Sequence, residues 1–303
     1  MLLELQRPLF FPVTPFGDDM TVRPDLLREH VRQRLVFGPG GVFAPAGAGE
    51  FHALAASEVA TVVASVVEAT AGTISVFAGT GGPLGHAIVC ARTAAESGAD
   101  GLLLLPPYLA DCTPTGLATY VESVVESIHL PVILYHRGRA RYDLASVRRL
   151  MKDRRVVGIK DGHGDLELMR TILRIRAATG RPDFMLINGM PTAEVRDEEY
   201  RRVGISTYSS STFTMAPTIA TAFHDATSGG DEARRTAILD GFYFPLERLR
   251  RSRPGYSVAL IKAGVALGGV SACPVRPPLQ AVSRDDLRAL RRLLSFGSEL
   301  AAS

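Results

Sequence analysis

The chain reads as a parallel (β/α)8 barrel, the TIM-barrel class of α/β fold, followed by a C-terminal helical extension. Three observations predict this. Eight short, β-prone apolar runs punctuate the first 226 residues; amphipathic stretches of helical period alternate with them; and the strand pattern stops after Ala226. The runs are residues 9–13 (LFFPV), 41–44 (GVFA), 74–78 (ISVFA), 101–105 (GLLLL), 132–135 (VILY), 156–160 (VVGIK), 184–188 (FMLIN) and 204–208 (GISTY). Each is continuously apolar rather than alternating, as expected of parallel strands covered on both faces. Eight βα units are enough to close a barrel. The same elements could also build an open doubly wound sheet, which is the alternative arrangement.

The intervening segments carry helix signals. Residues 24–36 place Leu26, Leu27, Val31 and Leu35 on one side, with Pro24 at the first turn, where its missing N–H is not needed. Ser57 is expected to cap a helix running to residue 69. Residues 83–97, 115–127, 144–152 and 166–179 fill the next gaps, and Ser97-Gly98-Ala99-Asp100 reads as a helix end leading back into a strand. Beyond the Ser228-Gly229-Gly230 break, residues 232–250, 254–267 and 284–294 read as helices. The expected organisation is a barrel over residues 1–226 and a helical extension over 227–303.

Composition excludes several classes of protein. With 46% hydrophobic and 21% charged residues the chain can bury a core, and disorder is not expected. Its three cysteines, at 90, 112 and 273, form no C-x-x-C pair, which disfavours a disulfide framework or structural zinc and fits a reducing, cytoplasmic setting. The opening MLLELQRPLFFP lacks a basic region followed by an apolar one, so no secretory signal is expected. No stretch approaches the ~18 apolar residues needed to span a bilayer, so no membrane role is expected. Net charge is only +3. The densest basic run, Arg248 to Arg253 (RLRRSR), has no aromatic interleaving and reads as a solvated helix end rather than a nucleic-acid surface.

Only Lys152, Lys160 and Lys262 among the 34 basic side chains are lysines. Arginine replaces lysine as a surface charge but not as an amine nucleophile, because guanidinium stays protonated. Lys160 closes the strand VVGIK at the end of the barrel where ligands bind. Poor solvation there would lower its pKa from ~10.4 and allow attack on a ketone to form a Schiff base. An ion pair with Asp161 or another carboxylate is the competing structural role. Lys152, in MKDRR, belongs to a charged helix end, and Lys262, in an apolar helix, reads as a structural cap or pair.

Tyr135 ends the fifth run; it is either a proton shuttle beside the lysine or a core residue with a satisfied hydroxyl. Gly47-Ala48-Gly49 either turns its amides toward a carboxylate or is a plain turn. Gly79-Thr80-Gly81-Gly82 lacks the G-K-[ST] ending of a phosphate loop. Asp161, His163 and Asp165 alternate as a metal cluster would, but read better as helix-start acids plus a loop histidine, so no metal is expected.

Together these motifs resemble the dihydrodipicolinate synthase/N-acetylneuraminate lyase superfamily of Schiff-base barrels. The resemblance runs from Phe-Pro-Val-Thr-Pro-Phe at 11–16 through Gly47-Ala48-Gly49-Glu50, Tyr135 in ILYHR and Lys160 in GIKD. Within the superfamily, PAGAGEF (45–51), LLPPYL (104–109), VGIKDGHGDLELM (157–169), NGMPTAE (188–194) and TYSSSTF (207–213) are similar to the 5-dehydro-4-deoxyglucarate dehydratases. Tyr108-Leu109 stands where the synthases usually carry two tyrosines. Ala48 replaces a threonine usual in the dehydratase pattern, His136 replaces an asparagine, and Arg139 is atypical.

The resemblance implies a lyase that dehydrates and decarboxylates a 2-keto sugar acid. It implies Lys160 and Tyr135 as catalytic residues and Gly47, Ala48, Gly189, Ser209 and Ser210 as substrate-binding ones. It also implies no cofactor beyond the covalent lysine adduct, and a homo-oligomer, tetramer or dimer. The alternatives are a retro-aldol lyase or synthase acting on another 2-keto acid, and a non-catalytic sugar-acid-binding regulator.

Overall fold

A computed structural model describes residues 7–271 and 274–302; Cys273 lies outside the described residues. Eight strands form one parallel sheet: β1 (Leu9–Phe10), β2 (Val42–Phe43), β3 (Val76–Thr80), β4 (Gly101–Leu104), β5 (Val132–His136), β6 (Val156–Asp161), β7 (Met185–Asn188) and β8 (Ser209–Ser210). Each strand pairs with the next, and β8 returns to β1 through Leu9 opposite Ser209 and Phe10 opposite Ser210. A parallel bridge between Asn188 and Tyr208 joins β7 to the entry of β8, so the sheet closes into a barrel rather than an open wound sheet.

The strands are short and fully buried, which is why they read as continuous apolar runs. The eighth is displaced. Its expected run, 204–208, serves as the approach, and pairing with β1 falls on the serines that follow.

Helices α1 (Pro24–Leu35), α2 (Ala56–Thr70), α3 (Leu84–Glu96), α4 (Pro114–Glu126), α5 (Leu144–Leu150), α6 (Leu166–Ala178) and α7 (Asp197–Arg202) separate the strands. Short α8 (Ser211–Met215) and α9 (Pro217–Gly229) follow the last one. Ser57 does not cap α2: the helix begins at Ala56, its N-cap is Ala55, and the Ala55 amide donates to the Glu58 carboxylate at 2.9 Å. Side-chain caps occur instead at Thr113, Asp143 and Asp165.

Gly230 adopts a left-handed conformation (φ 74°) as the C-cap of α9. The helices α10 (Glu232–Ile238), α11 (Phe244–Arg251), α12 (Tyr256–Leu267) and α13 (Arg284–Ala302) complete the chain. The single helix expected over 232–250 is interrupted by a π-helical stretch, Leu239–Tyr243, that turns Phe242 and Tyr243 into the core. These helices share an apolar core with Val13, Met215, Ile219 and Phe223. The break at 229–230 therefore divides the chain but not its packing. No helix among the described residues is long and apolar enough to cross a membrane.

Candidate active site

Strand register brings the chemistry together. Tyr135 on β5 lies opposite Lys160 on β6, and His136 lies opposite Asp161. Successive strand side chains point to opposite faces, so Tyr135 and Lys160 share one face while His136 and Asp161 take the other. The Lys160 amine is 4.1 Å from the centroid of the Tyr135 ring and 4.4 Å from that of Phe11. The lysine side chain is only 5% exposed, and no carboxylate among the described residues lies within ion-pairing distance of it.

Asp161, the expected competitor, turns away. It accepts from the Tyr200 hydroxyl at 2.6 Å and from the His163 and Gly164 amides at 2.8 and 3.2 Å. Burial holds the Lys160 amine below the usual lysine range; the Tyr135 phenol opposes that shift and the Arg137 charge reinforces it. Burial pushes the Tyr135 phenol up, but the charges of Lys160 and Arg137, with hydrogen bonds from both, outweigh it and leave the phenol below its ordinary value.

The Tyr135 hydroxyl donates to the Gly189 carbonyl at 3.3 Å and accepts from Arg137 Nη1 at 3.1 Å. Gly189 follows β7, and its amide donates to the Asp161 carbonyl at 2.7 Å. A Cβ at Gly189 would stand 2.6 Å from Lys160 Cγ, so only glycine lets the lysine stem lie this close to the backbone. Arg137 was not singled out in the sequence. Its position two residues beyond Tyr135, on the same face by the strand period, is the signal that identifies it.

The loop after β2 opens at the same end of the barrel. Gly47 is exposed and Ala48 half-buried, and no described residue accepts from either amide. The loop is held from beneath. Thr14 donates to the Gly49 carbonyl at 2.7 Å, and fully buried Glu50 pairs with Lys262 of α12 at 2.5 Å and accepts from the Arg276 amide at 2.8 Å. Lys262 is thus the structural partner of Glu50.

Ser209 is buried and donates weakly to the Asn188 carbonyl (3.4 Å). Ser210 is fully buried; it donates to Glu194 at 2.5 Å and caps α8 by accepting from the Phe213 amide at 3.0 Å. Burial pushes the Glu194 carboxyl up to about 7.

Two of the atypical residues, His136 and Arg139, make their contacts away from the lysine. His136 accepts from the Tyr142 amide at 3.1 Å and packs edge-on to His163, and burial holds its imidazole down at about 4. Arg139 pairs with Asp111 at the surface. Asp165 caps α6 by accepting from the Leu168 amide, and no metal-ligand cluster forms among the described residues. The basic run departs from its expected solvated role at one position. Arg248, Arg251 and Arg253 are exposed, but Arg250 is half-buried and turns to the hydroxyls of Thr192, beyond β7, Ser211, beyond β8, and Ser257 on α12.

Residues 4–296 match the model of the family described as the dihydrodipicolinate synthetase family. A Streptomyces coelicolor protein named "Probable 5-dehydro-4-deoxyglucarate dehydratase 1" is 44% identical over 97% of this chain and 93% of its own length. A Paracidovorax citrulli protein named "Probable 5-dehydro-4-deoxyglucarate dehydratase" is 37% identical over 94% of this chain and 93% of its own. The crystal structure of dihydrodipicolinate synthase from Oceanobacillus iheyensis superposes with a TM-score of 0.85 at 24% identity, covering 95% of this chain and 94% of that one. N-acetylneuraminate lyase from Fusobacterium nucleatum superposes with a TM-score of 0.81 at 18% identity, covering 96% and 98%.

Proposed function

The chain belongs to the dihydrodipicolinate synthetase family, and from that premise we propose that it converts 5-dehydro-4-deoxyglucarate to 2,5-dioxopentanoate, water and carbon dioxide through a Schiff base on Lys160. The observation that carries this reading is the buried Lys160 amine, without a carboxylate partner among the described residues and set against the Tyr135 phenol at the ligand-binding end of a closed barrel. Relatives named for this reaction, aligned over nearly the whole chain, supply the substrate.

Lys160 attacks the C5 ketone, and loss of water leaves an iminium. The iminium acidifies C4. A proton leaves C4, and the resulting enamine expels the C3 hydroxyl, which departs as water after taking up a proton. The C3–C4 double bond now conjugates with the iminium. The C1–C2 bond then breaks: carbon dioxide leaves, and its electron pair runs through C2–C3 and C4–C5 to the iminium nitrogen. Protons return to C3 and C4, the C2 enol becomes the aldehyde, and hydrolysis frees the ketone and the lysine.

Tyr135 carries protons to and from the carbinolamine and C4, its phenol poised by two cations and the Gly189 carbonyl. The Gly47 and Ala48 amides hold the carboxylate beside the ketone, a role that needs no side-chain hydroxyl at position 48. Gly189 lets substrate and lysine meet at the β7 end, and Ser209 serves the hydroxyl groups. Ser210 sets the direction of β8 through its bonds to Glu194 and α8. The iminium is the electron sink, so the mechanism calls on no cofactor. The reaction places the protein in the breakdown of glucarate-type sugar acids. The homo-oligomeric state and cytoplasmic setting expected of the family are part of the same proposal.

Borohydride with substrate is expected to add mass irreversibly to the peptide bearing Lys160, and Lys160→Ala is expected to lose both trapping and carbon dioxide release. An unmodified Lys160, or an active Lys160→Ala protein, overturns the mechanism. Trapping at Lys160 with release of pyruvate and an aldehyde instead of carbon dioxide would reassign the reaction to a retro-aldol lyase. Binding without trapping or turnover would leave a regulator.

A further inference from the structure

The two arginines at the mouth of the site are not neutralised. Arg250 reaches from α11 to the C-terminal ends of two strands. Its Nη1 donates to Thr192 Oγ1 at 3.2 Å, beyond β7, and to Ser211 Oγ at 2.9 Å, beyond β8, and its Nη2 donates to Ser257. All three partners are neutral hydroxyls, and no carboxylate among the described residues lies within ion-pairing distance of Arg250. The acid whose charge acts on it most, Glu194, is hydrogen-bonded to Ser210 and pushed up to about 7 by burial, so it carries only part of a charge at neutral pH. Desolvation holds the Arg250 guanidinium down at about 10, and the positive charge of Arg137 adds to that shift. Arg137 touches the catalytic pair directly through the Tyr135 hydroxyl. One cation therefore touches the catalytic phenol and the other binds the residues just past β7 and β8, and neither has an ion-paired acid among the described residues.

A half-buried guanidinium that hydroxyls alone hold, with no ion-paired carboxylate among the described residues, gains from a ligand that supplies one. We propose that Arg250, assisted by Arg137, is the receptor for the carboxylate remote from the ketone, and that it makes the site selective for dicarboxylic over monocarboxylic 2-keto sugar acids. The inference rests on the Schiff-base reading above and deepens it. That substrate carries two carboxylates. The amides of Gly47 and Ala48 take one, and the serines of β8 are poor receptors for the other: Ser210 is fully engaged with Glu194 and the Phe213 amide, and Ser209 already leans on the Asn188 carbonyl. Three of the five N–H groups of Arg250 are used by hydroxyls, which leaves the fork able to donate to a carboxylate.

The chemistry also says which kinetic constant responds. The remote carboxylate is the one that departs as carbon dioxide, so its attraction to Arg250 is made in the bound substrate and is not strengthened as the C1–C2 bond breaks. Arg250 thus contributes to affinity and selectivity rather than to the chemical step.

The test compares the dicarboxylate substrate with its analogue bearing a hydroxymethyl group in place of the remote carboxylate. Both retain the ketone, so both can be trapped by borohydride. In Arg250→Gln the substrate concentration for half-maximal trapping is expected to rise by about 10- to 100-fold for the dicarboxylate, the range of one charge-assisted hydrogen-bond set. For the analogue it should change less than about threefold. Arg250→Lys should recover part of the preference, because it restores charge without the fork. Equal weakening of both ligands would make Arg250 a strut between α11 and the barrel and overturn the proposal; so would an unchanged preference. Should Arg250→Gln fail to fold, Arg250→Lys carries the same comparison: weakening confined to the dicarboxylate supports the proposal, and equal weakening or an unchanged preference overturns it. Pyruvate, which has only the near carboxylate, separates the two readings. If the parent protein cannot trap pyruvate or substrate at Lys160, the Schiff-base reading fails, whereas intact trapping with no loss of preference in the variants defeats only the role of Arg250.

Discussion

The close approach of Gly189 to Lys160 makes a single methyl group a probe of the whole site. In Gly189→Ala the new Cβ would stand 2.6 Å from Lys160 Cγ and 2.9 Å from Cε, with the Asp161 carbonyl oxygen 2.8 Å away on the neighbouring strand. Carbon–carbon contacts settle at about 3.5–4.0 Å, so one partner must move by about 1 Å. The Asp161 carbonyl belongs to β6 and is fixed by the Gly189 amide at 2.7 Å, so its contact strains the β6–β7 backbone while the lysine stem is displaced. A displacement of about 1 Å from productive geometry costs about 100-fold in rate, and overpacking of this kind costs about 1–3 kcal/mol in stability. The assay is the rate of borohydride trapping with keto acid, paired with the urea midpoint of unfolding. The expected result is a folded protein, modestly destabilised, with trapping slowed by about two orders of magnitude. A Gly189→Ala protein that traps at the parent rate with an unchanged midpoint would refute the claim that this glycine positions the amine.

Tyr135→Phe should lower turnover by about 10²- to 10⁴-fold while still permitting slow trapping at Lys160, because the amine remains and only the proton carrier is lost; unchanged turnover would remove Tyr135 from the mechanism. Lys262→Met should destabilise the fold by about 3–5 kcal/mol in urea unfolding, because it strands buried Glu50. The double variant Glu50→Gln/Lys262→Met should regain much of that loss, and a single variant within about 1 kcal/mol of the parent would contradict the pairing. His30 is fully buried edge-on to Phe10, both of its ring nitrogens lack a partner among the described residues, and burial, aided by the Arg34 charge, holds it down to about 3 from an ordinary 6.5. Between those values the unfolded chain binds a proton that the folded chain refuses, so His30 makes stability fall as pH drops from 6.5 toward 3. His30→Leu should remove that component, and its advantage over the parent should widen between about pH 7 and about pH 4.5; parallel pH dependences would rule the histidine out.

The parts of this molecule that were legible in sequence are those governed by local pattern. Continuous apolar runs marked seven of the eight strands because both faces of a parallel barrel are buried, and Lys160 stood out because lysine is scarce and this one falls at the end of an apolar run. Where local chemistry and tertiary pairing diverged, the pattern misled. The run at 204–208 is apolar enough for a strand, yet register with Leu9 and Phe10 selects Ser209 and Ser210. Ser57 is a good cap residue, but the Glu58 side chain satisfies the Ala55 amide just ahead of it. The fate of Asp161 could not be read from its adjacency to Lys160. Adjacent strand residues face opposite ways, and its partner, Tyr200, comes from α7. Arg250 was hidden for a related reason. A basic run looks solvated as a run, and only the packing of α11 shows that one of its arginines points inward.

The helical extension then belongs to the chemistry rather than merely following it. Three of its cations reach back to the barrel by different routes. Lys262 of α12 holds Glu50, at the end of the loop that carries Gly47 and Ala48, and Arg276 reinforces that hold through its amide and through its ion pair with Glu58 at the start of α2. Arg250 of α11 grips the hydroxyls just past β7 and β8. The barrel supplies the lysine and the phenol from two adjacent central strands, where register alone fixes their separation. The loops that must meet a substrate's two ends have no such register. Residues 47–50 follow a strand of only two residues, and the last serines occupy another of the same length, so neither is anchored by a long ladder. Buried ionic and charge-assisted contacts from the extension fix what the short strands cannot, and the second apolar core, in which α9–α13 pack with Val13 of the barrel, keeps the extension from being a detached unit.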